Sequence, residues 1–487
     1  MRTIRARTTD GGHIEFSATA LATGGEKVVF LSTDRRSVVA FYHGVLRDRA
    51  ERAERLQRIL TRYNPTVGPS GGFWRPYFSW PTAVVDGDPN VPVAFARDWH
   101  LAWPVLGVVT PVYRDDFFFR DRFGQRQEKE VKWFTGRKAA TFVPADERGN
   151  FLTKLQVVTR LARAVRRLHF AGLAHSDLSN KNVLIDPRGG NACVIDIDSL
   201  VVPGIAPPTV LGTPGYIAPE VLAGHATPSI ATDRHALAVL IYQLLLGRHP
   251  LQGRKVHSLR SAEADERIAM GDGALFTEHP RDHSNRPQEP IRVPYTRLGP
   301  FLAPVIEKAF ITGLHRPALR PDAAEWEAAL YRSFELIHPS PGASEWMFAG
   351  PALPAQCPWT GGTLRAPIPV ARYQREREGR RVDEQRTLTL FHHLTLHDWH
   401  LRTAVAPDEH ADRTPRGYIA QHAGRWWLVN LSGAPLHTDA GASIAHNAAL
   451  ALEEGVAVRA DAADARWLAV RFVTPGASAV QAVAPHG

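Results

Sequence analysis

The sequence predicts an α+β protein in which a region of strands and one helix is followed by a mainly helical region and a small all-β sandwich. Three patterns support this: short apolar runs alternating with turn signals near the N-terminus, longer runs of helical length in the middle, and short runs separated by Gly, Asn and Asp towards the C-terminus. The chain has 487 residues. One hydrophobic core rarely serves that length, so we expect more than one domain.

Residues 1–111 predict a small lobe built on antiparallel strands. Three apolar runs between residues 14 and 43 are separated by turn signals, the first of them rich in glycine. The charged segment 45–63 carries apolar residues near helical spacing, which predicts an amphipathic helix. The apolar run 105–113 predicts the last strand of this lobe.

Residues 112–337 predict a larger, mainly helical lobe. Residues 150–170 have the length and pattern of a helix, and the apolar run 236–246 fits a helix buried inside the lobe. Frequent prolines mark residues 338–365 as a linker. The regularly spaced short runs beyond it predict that residues 366–487 form a β-sandwich.

Composition argues against several classes of protein. No apolar run reaches the roughly 18 residues that a membrane helix needs, and the N-terminus lacks the apolar stretch of a signal peptide. Cys193 and Cys357 give no disulfide framework and indicate a reducing compartment, so we expect a cytoplasmic protein. The formal net charge is +9, but arginines are spread along the chain, so neither a nucleic acid nor a membrane is the expected partner.

Three segments carry a recognisable pattern of polar residues. They are residues 173–185, which include Asp177 and Asn182, residues 194–198, and residues 212–220. In order and separation they resemble the catalytic loop, the metal-binding turn and the end of the activation segment of the protein kinases. The resemblance implies a two-lobed protein-kinase-like fold and a serine/threonine protein kinase that uses ATP.

The resemblance implies a role for each of these polar residues. Asp177 lies where the family has the carboxylate that accepts the proton of the substrate hydroxyl. Asn182 and Asp196 match the positions that hold Mg²⁺, or Mn²⁺, against the phosphates of ATP. Lys181, four residues after Asp177, is expected to reach the γ-phosphate. The substrate is expected to be a protein, because residues 212–220 resemble a segment of the protein-directed kinases.

Two positions depart from the common kinase pattern. Ser176 stands where arginine is usual, which argues against activation through a phosphorylated loop hydroxyl such as Thr209 or Thr213. Asp198 stands where glycine is usual. That change resembles a bacterial kinase branch with an Asp-x-Asp-Ser turn, found beside stress and tellurite-resistance genes. By this resemblance, a von Willebrand-type protein and a metal-dependent protein phosphatase are expected partners.

The small lobe departs further, because the alignment puts Ala40 at the position of the strand lysine that binds phosphate. The with-no-lysine kinases resemble this arrangement and supply the ammonium from the Gly-rich loop. That loop here contains Gly24 and Gly25, and Lys27 would supply the cation, since adjacent strands are only ~5 Å apart. Glu54 of the predicted helix is the expected partner of Lys27. An alternative explanation is that Ala40 replaces a native lysine.

The strand predicted at 105–113 leads into the connection between the two lobes. By resemblance Thr110 and Val112 lie in this hinge. We expect both residues to contact the nucleotide, together with the glycines and the lysine of the loop.

The C-terminal region resembles the second half of a forkhead-associated domain, a sandwich that reads phosphothreonine. The resemblance rests on residues 425–432 and 449–458, and residues 414–417 correspond to its Ser-Arg loop, although the serine and the following histidine are absent. A sandwich that only packs on the kinase region, or that binds a protein partner, fits equally well.

Two further interpretations of the whole chain are compatible with the sequence. A pseudokinase scaffold would bind nucleotide or partner proteins without transferring phosphate, and the missing strand lysine is its main support. A kinase acting on a small molecule is the other reading.

Overall fold

The computed structural model describes residues 2–136, 141–208, 212–256, 267, 270–342, 344–349 and 354–476. The α-helices are α1 Arg49–Thr61, α2 Gly71–Trp74, α3 Val93–Asp98, α4 Phe151–Phe170, α5 Pro219–Leu222, α6 Ile230–Leu246, α7 Gly299–Glu307, α8 Ala323–Phe334 and α9 Asp398–Leu401. Short 3₁₀ turns include Asp115–Phe117, Ile197–Ser199 and Pro317–Leu319, and a π-helical turn, Lys308–Thr312, follows α7.

The strands before α4 are β1 Thr3–Arg7, β2 His13–Thr23, β3 Lys27–Ser32, β4 Ser37–Tyr42, β5 Ala83–Asp86, β6 Leu106–Pro111, β7 Phe118–Arg120 and β8 Arg126–Glu128. Those after it are β9 Val183–Asp186, β10 Asn191–Val194, β11 Ile337–Pro339, β12 Trp346–Phe348, β13 Ile368–Arg377, β14 Arg380–Thr389, β15 Thr395–Leu396, β16 Gly417–His422, β17 Arg425–Asn430, β18 Leu436–Thr438, β19 Ser443–Ile444, β20 Ala449–Ala451, β21 Ala457–Ala460 and β22 Arg466–Val473.

The N-terminal sheet is antiparallel, with strand order β1-β2-β3-β4-β6-β5. Its strands β2, β3, β4 and β6 confirm the runs predicted between residues 14 and 43 and at 105–113. Strand β1 was not predicted, because it offers only Ile4 and Ala6 as apolar residues. Both are buried in a core built largely from phenylalanine rings on one face of the sheet. On the opposite face Ala40 and Tyr42 pack with Leu56 of α1.

The helical region places the three motif segments close together. Helix α4 confirms the helix predicted at 150–170 and ends just before the first motif, and α6 contains the apolar run 236–246 as a nearly fully buried helix. Strands β9 and β10 form a hairpin that starts after Asn182 and ends before Asp196. The N–H of Ile195 donates to the carbonyl oxygen of Asn182 at 3.0 Å. The hairpin therefore brings the first motif next to the second.

The C-terminal region contains two antiparallel sheets, with strand orders β14-β13-β22-β21-β18-β19 and β15-β16-β17-β20. One hydrophobic core takes residues from both sheets, among them Tyr373, Leu468, Ile419 and Leu428. The strands of both sheets lie within residues 366–487, where the sequence predicted short strands. In the segment predicted as a Pro-rich linker, β12 pairs with β11 in a short hairpin.

The chain divides into two compact units. The first comprises Met1–Gly149, Thr153–Ile291 and Pro304–Glu327, and the second comprises Asn150–Leu152, Arg292–Ala303 and Ala328–Gly487. In the part of the chain that the structure describes, no helix combines the length and the apolar character needed to cross a membrane.

Candidate active site

Lys27, the first residue of β3, places its ammonium against two carboxylates of the turn after β10. The Nζ atom lies 2.6 Å from Asp196 Oδ1 and 2.9 and 2.8 Å from Oδ1 and Oδ2 of Asp198. Burial by itself lowers the pKa of Lys27, but the charges of Asp198 and Asp196 outweigh burial and raise this pKa well above its usual value. Lys27 therefore stays charged. The structure brings together a cation and an acidic turn that lie far apart in the sequence.

Tyr42, rather than Ala40, is the β4 residue that reaches the acidic turn. Its hydroxyl donates to Asp198 Oδ2, and its ring centre lies 5.6 Å from Lys27 Nζ. Tyr42 pairs directly with Lys27 across the two strands. Ala40 is buried in an apolar cluster. Of these two residues of β4, it is therefore Tyr42 that contacts the acidic turn, and Ala40 lies two residues earlier in the strand.

The glycines of the predicted loop lie in the turn between β2 and β3. The N–H of Gly24 donates to the carbonyl oxygen of Lys27 at 2.8 Å, and His43 Nε2 lies 3.1 Å from Gly24 O. A Cβ added at Gly25 would meet nothing within 4 Å. The turn is therefore open at Gly25 and adjoins Lys27, as the sequence predicted.

Helix α1 does not supply the carboxylate that was expected to pair with Lys27. The side chain of Glu54 is 52% exposed and pairs with Arg58 one turn later. The inward face of α1 carries Arg52 and Arg55 instead. The guanidinium of Arg52 lies 4.6 Å from the ring centre of Tyr42, and Arg55 Nη2 donates to a backbone carbonyl at 2.8 Å. The expected Glu54 pair is corrected, because the phase of the helix turns positions 52 and 55 inward and position 54 outward.

Asp177 lies in the loop between α4 and β9 and is held from two sides. Asn182 Nδ2 donates to the carbonyl oxygen of Asp177 at 2.8 Å and to its Oδ2 at 3.0 Å. Thr213 donates its N–H to Oδ1 at 2.6 Å and its hydroxyl to Oδ2 at 3.1 Å. The first and third motifs therefore meet at the Asp177 carboxylate. Lys181, the neighbour of Asn182, is exposed.

The backbone beneath Asp177 is tied to the buried helix α6. Asp233 accepts the N–H of His175 at 2.7 Å, and His175 Nε2 lies 2.8 Å from the carbonyl oxygen of Ile195. Ser176 has left-handed backbone, with φ of 56°, and its hydroxyl donates to Ser199 O at 2.9 Å. These contacts fix the position of the first motif relative to the acidic turn.

Asp196 and Asn182 have the chemistry of a divalent-cation site. Asp196 also has left-handed backbone, with φ of 60°. Burial raises the pKa of Asp196, but the Lys27 ammonium outweighs burial and lowers it, so the group stays anionic. Asn182 binds Asp177 through Nδ2, which leaves its carbonyl oxygen facing away from that carboxylate. Carboxylate and amide oxygens are ligands that Mg²⁺ accepts, so these residues fit the implied metal.

The predicted hinge residues lie at the end of β6. Thr110 pairs with Val38 in the sheet and is half-buried, and Val112 donates its N–H to Arg36 O at 3.0 Å. The sequence missed the next residue, Tyr113. Its ring packs against Phe117, Leu184, Cys193 and Ile195. Burial raises the pKa of Tyr113, and the charge of Glu128 adds to the rise. Because Ile195 directly precedes Asp196, Tyr113 lies next to the acidic turn.

The third motif is anchored by buried polar contacts. Arg320 binds Glu220 through both terminal nitrogens at 2.7 Å. His249 Nε2 lies 2.9 Å from Gly215 O. Of the two loop hydroxyls considered from the sequence, Thr213 is engaged by Asp177, and Thr209 lies outside the described residues.

Arg416 lies in the C-terminal loop that resembles the Ser-Arg loop of forkhead-associated domains, and it forms salt bridges with two aspartates. Arg416 binds Asp398 through Nε and Nη2 at 2.9 Å each, and Asp412 through Nη2 at 2.7 Å. The hydroxyl of Thr414 also donates to Asp412, at 2.7 Å. The side chains of Thr414 and Arg416 are therefore both bound to nearby carboxylates.

Residues 149–293 match the family model described as protein kinase domain. This match covers less than half of the chain. The match includes Asp177, Asn182, Asp196 and Thr213, which are the residues that the structure brings together around the catalytic loop. The match begins at residue 149, after the N-terminal sheet, so Lys27 lies outside it.

Curated serine/threonine-protein kinases of bacteria resemble part of the chain. PknL of Mycobacterium tuberculosis is 28% identical over 179 residues, which cover 34% of this chain and 43% of PknL. PknA of the same species is 31% identical over 175 residues, covering 34% of this chain and 33% of PknA. PkaB of Streptomyces coelicolor is 35% identical over 108 residues, covering 20% of this chain and 26% of PkaB. The chain thus spans less than half the length of these relatives.

Proposed function

We propose that this protein is a serine/threonine protein kinase that transfers the γ-phosphate of ATP to a protein hydroxyl. The observation that carries the proposal is the Asp177 carboxylate, held by Asn182 and Thr213 beside a turn whose Asp196 binds the Lys27 ammonium. Phosphoryl transfer requires this combination of a positioned carboxylate and cations that neutralise phosphate charge. The serine/threonine kinases among the relatives support the same class of substrate.

Each residue then has a distinct part in the reaction. Asp177 accepts the proton of the incoming hydroxyl and orients its oxygen toward the γ-phosphate. Lys27 faces the α- and β-phosphates, and the exposed Lys181 reaches the γ-phosphate. Asp196 and Asn182 would hold a divalent cation, which when bound neutralises charge on the β- and γ-phosphates. The hinge, with Thr110, Val112 and Tyr113, faces the base of the nucleotide.

A nucleotide-binding scaffold without transfer activity is the second candidate. Tyr42 favours it, because a strand tyrosine cannot supply the cation that a strand lysine supplies. Lys27 opposes it, because an ammonium is present at the acidic turn from the neighbouring strand. Both candidates bind nucleotide, but only the kinase transfers phosphate.

Transfer of labelled γ-phosphate separates the two candidates. We expect the purified chain with ATP and Mg²⁺ or Mn²⁺ to phosphorylate itself or a generic protein substrate. Asp177→Asn should lower this rate by roughly 10²–10⁴-fold, the usual contribution of a general base. Lys27→Met should also lower the rate severely. Lys308→Met is the matched control, since Lys308 is an exposed lysine paired with Glu325, and it should leave the rate unchanged.

An inactive wild-type chain that still binds ATP would favour the scaffold. Activity retained in full by Asp177→Asn would contradict the kinase assignment.

For the C-terminal region we propose a regulatory or partner-binding β-sandwich related to the forkhead-associated domains. The two sheets that share one core support a sandwich. The carboxylates around Arg416 favour a protein partner bound without a phosphothreonine. As partners we propose a von Willebrand-type protein and a metal-dependent phosphatase, because the Asp196-Ile-Asp198-Ser turn resembles that of the kinase branch found beside them. The proposed cytoplasmic location rests on the two cysteines, which indicate a reducing compartment.

A further inference from the structure

The two carboxylates of the acidic turn have unequal surroundings. The side chain of Asp196 is 34% exposed and offers one oxygen to Lys27, whereas that of Asp198 is 6% exposed and offers both. Asp198 Oδ2 also accepts the hydroxyl of Tyr42. The second oxygen of Asp196 accepts a long hydrogen bond from the Ser199 hydroxyl, at 3.4 Å. Asp198 is therefore committed to Lys27 and Tyr42, and Asp196 keeps an oxygen for another ligand.

The positive charge on the inward face of α1 explains why the turn supplies a second acid as the counter-ion of Lys27. Arg52 and Arg55 are buried on the inward face of this helix, at 9% and 2% exposure. Arg52 finds its carboxylates in Glu26, at 3.1 Å, and Asp48, at 3.3 Å. The Lys27 ammonium is largely shielded from solvent, with its side chain 19% exposed, and it needs a counter-ion because an unpaired charge in such a place is unfavourable. With cations on the inward face of α1, the counter-ion of Lys27 has to come from elsewhere.

Tyr42 completes this arrangement from the sheet. Burial raises the pKa of its hydroxyl, and the Asp198 charge raises it further, so the hydroxyl remains a donor. One donor from β4 and one cation from β3 therefore converge on a single buried carboxylate. A carboxylate held in this way has little freedom to turn toward a different ligand.

We propose that Asp198 is the positioning residue of Lys27, fixing its ammonium for the α- and β-phosphates in the place that a helix glutamate was expected to take. Asp196 is thereby left to bind the divalent cation. When nucleotide enters, Lys27 keeps its bonds to Asp198 and exchanges Asp196 Oδ1 for phosphate oxygens. This inference rests on the proposed kinase function and deepens it by assigning the second acid of the turn.

The test compares ATP and metal binding in the full chain. Calorimetric titration and steady-state kinetics give the Kd and KM for ATP and the half-saturating Mg²⁺ concentration. Asp198→Asn should raise Kd and KM for ATP about tenfold or more, as expected for loss of a hydrogen-bonded charge. The half-saturating Mg²⁺ concentration should stay within about twofold of wild type. Asp86→Asn, which removes an accessible carboxylate paired with Arg49, is the control and should change neither value.

A double-mutant cycle shows whether Asp198 acts through Lys27. In a Lys27→Met background, Asp198→Asn should change the Kd for ATP by less than about twofold, because the group it positions is already gone. Full additivity of the two substitutions would overturn the inference. So would a tenfold rise in the half-saturating Mg²⁺ concentration in Asp198→Asn, since Asp198 would then be a metal ligand.

The outcomes for the two proposals are distinguishable. A wild-type chain that binds no ATP would remove both, whereas normal activity with an unchanged Kd in Asp198→Asn would remove only the role of Asp198. Thermal unfolding of each variant checks that it is folded. If Asp198→Asn does not fold, Tyr42→Phe takes over the test. It removes only the hydroxyl, and it should raise the Kd for ATP about threefold; no change would count against the inference.

Discussion

His249 is buried between two backbone groups that each need its neutral ring. Its Nε2 lies 2.9 Å from the carbonyl oxygen of Gly215, and its Nδ1 accepts the N–H of Leu251 at 3.1 Å. These partners assign the proton to Nε2. Burial lowers the pKa of His249 to about 4. A second proton on the ring would break the bond from Leu251 and place a charge beneath the end of the third motif.

The depressed pKa of His249 predicts a loss of stability in mild acid. The unfolded chain binds this proton near pH 6.5 and the folded chain only near pH 4, so the contribution is complete above about pH 6.5 and falls as the pH drops toward 4. The loss over this window is on the order of 3 kcal/mol. Urea unfolding of wild type and His249→Gln at pH 7.5, 6 and 5 measures it, and His249→Gln should show the shallower decline.

The exposed His225 provides the control for this measurement. His225→Gln should decline with pH as the wild type does. Equal declines in wild type and His249→Gln would mean that other groups cause the acid sensitivity.

At the scale of elements, the sequence predicted those helices and strands that depend on the local spacing of apolar residues. Helices α1 and α4 and strands β2, β3, β4 and β6 formed where apolar spacing indicated them. The partners of Lys27 were missed, because Tyr42 and Asp198 reach it only through pairing of β3 with β4 and through the β9–β10 hairpin. Two signals were nevertheless present. Alternation along β4 puts Tyr42 on the same face as Ala40, and Asp198 is an acid at a position where glycine is usual.

Local pattern also failed to predict that Glu54 lies on the outward side of α1. The amphipathic pattern of residues 45–63 located the helix, but arginines on its inward face blurred the boundary between its polar and buried sides. Long arginine side chains can be buried along their stems, so a charged residue does not mark the solvent side of a helix.

Helix α6 ends at a residue whose backbone only glycine adopts without strain. Gly247 has φ of 72°, and its N–H donates to Gln243 O at 2.8 Å. An added Cβ would meet nothing within 4 Å, so Gly247→Ala should cost only the backbone strain, about 1 kcal/mol of unfolding free energy.

Gly72→Ala in α2 is the control, because a Cβ at Gly72 also meets open space and Gly72 has no positive φ. It should be neutral or slightly stabilising in the same chemical unfolding assay, and equal losses would contradict the argument.

At the scale of the whole molecule, the second compact unit is assembled from three separate stretches of the chain. It comprises residues 328–487 together with the two shorter stretches 150–152 and 292–303. Phe151 belongs to the first of these stretches. Its ring centre lies 5.3 Å from that of Phe348 and 5.1 Å from that of Trp359, and its N–H donates to Glu345. A residue far upstream in the sequence therefore helps to stabilise the C-terminal unit.

The two ends of α4 offer a matched pair of phenylalanines to test this dependence. Phe151 is 2% exposed and Phe170 is 86% exposed. Phe151→Ala should destabilise the C-terminal unit by about 3–5 kcal/mol, because it leaves a cavity beside Phe348 and Trp359. Phe170→Ala should change stability by less than about 0.5 kcal/mol. Scanning calorimetry of the full chain resolves the unit that melts. A large loss in both variants would show that helix content, rather than the aromatic contacts of Phe151, governs the stability of the unit.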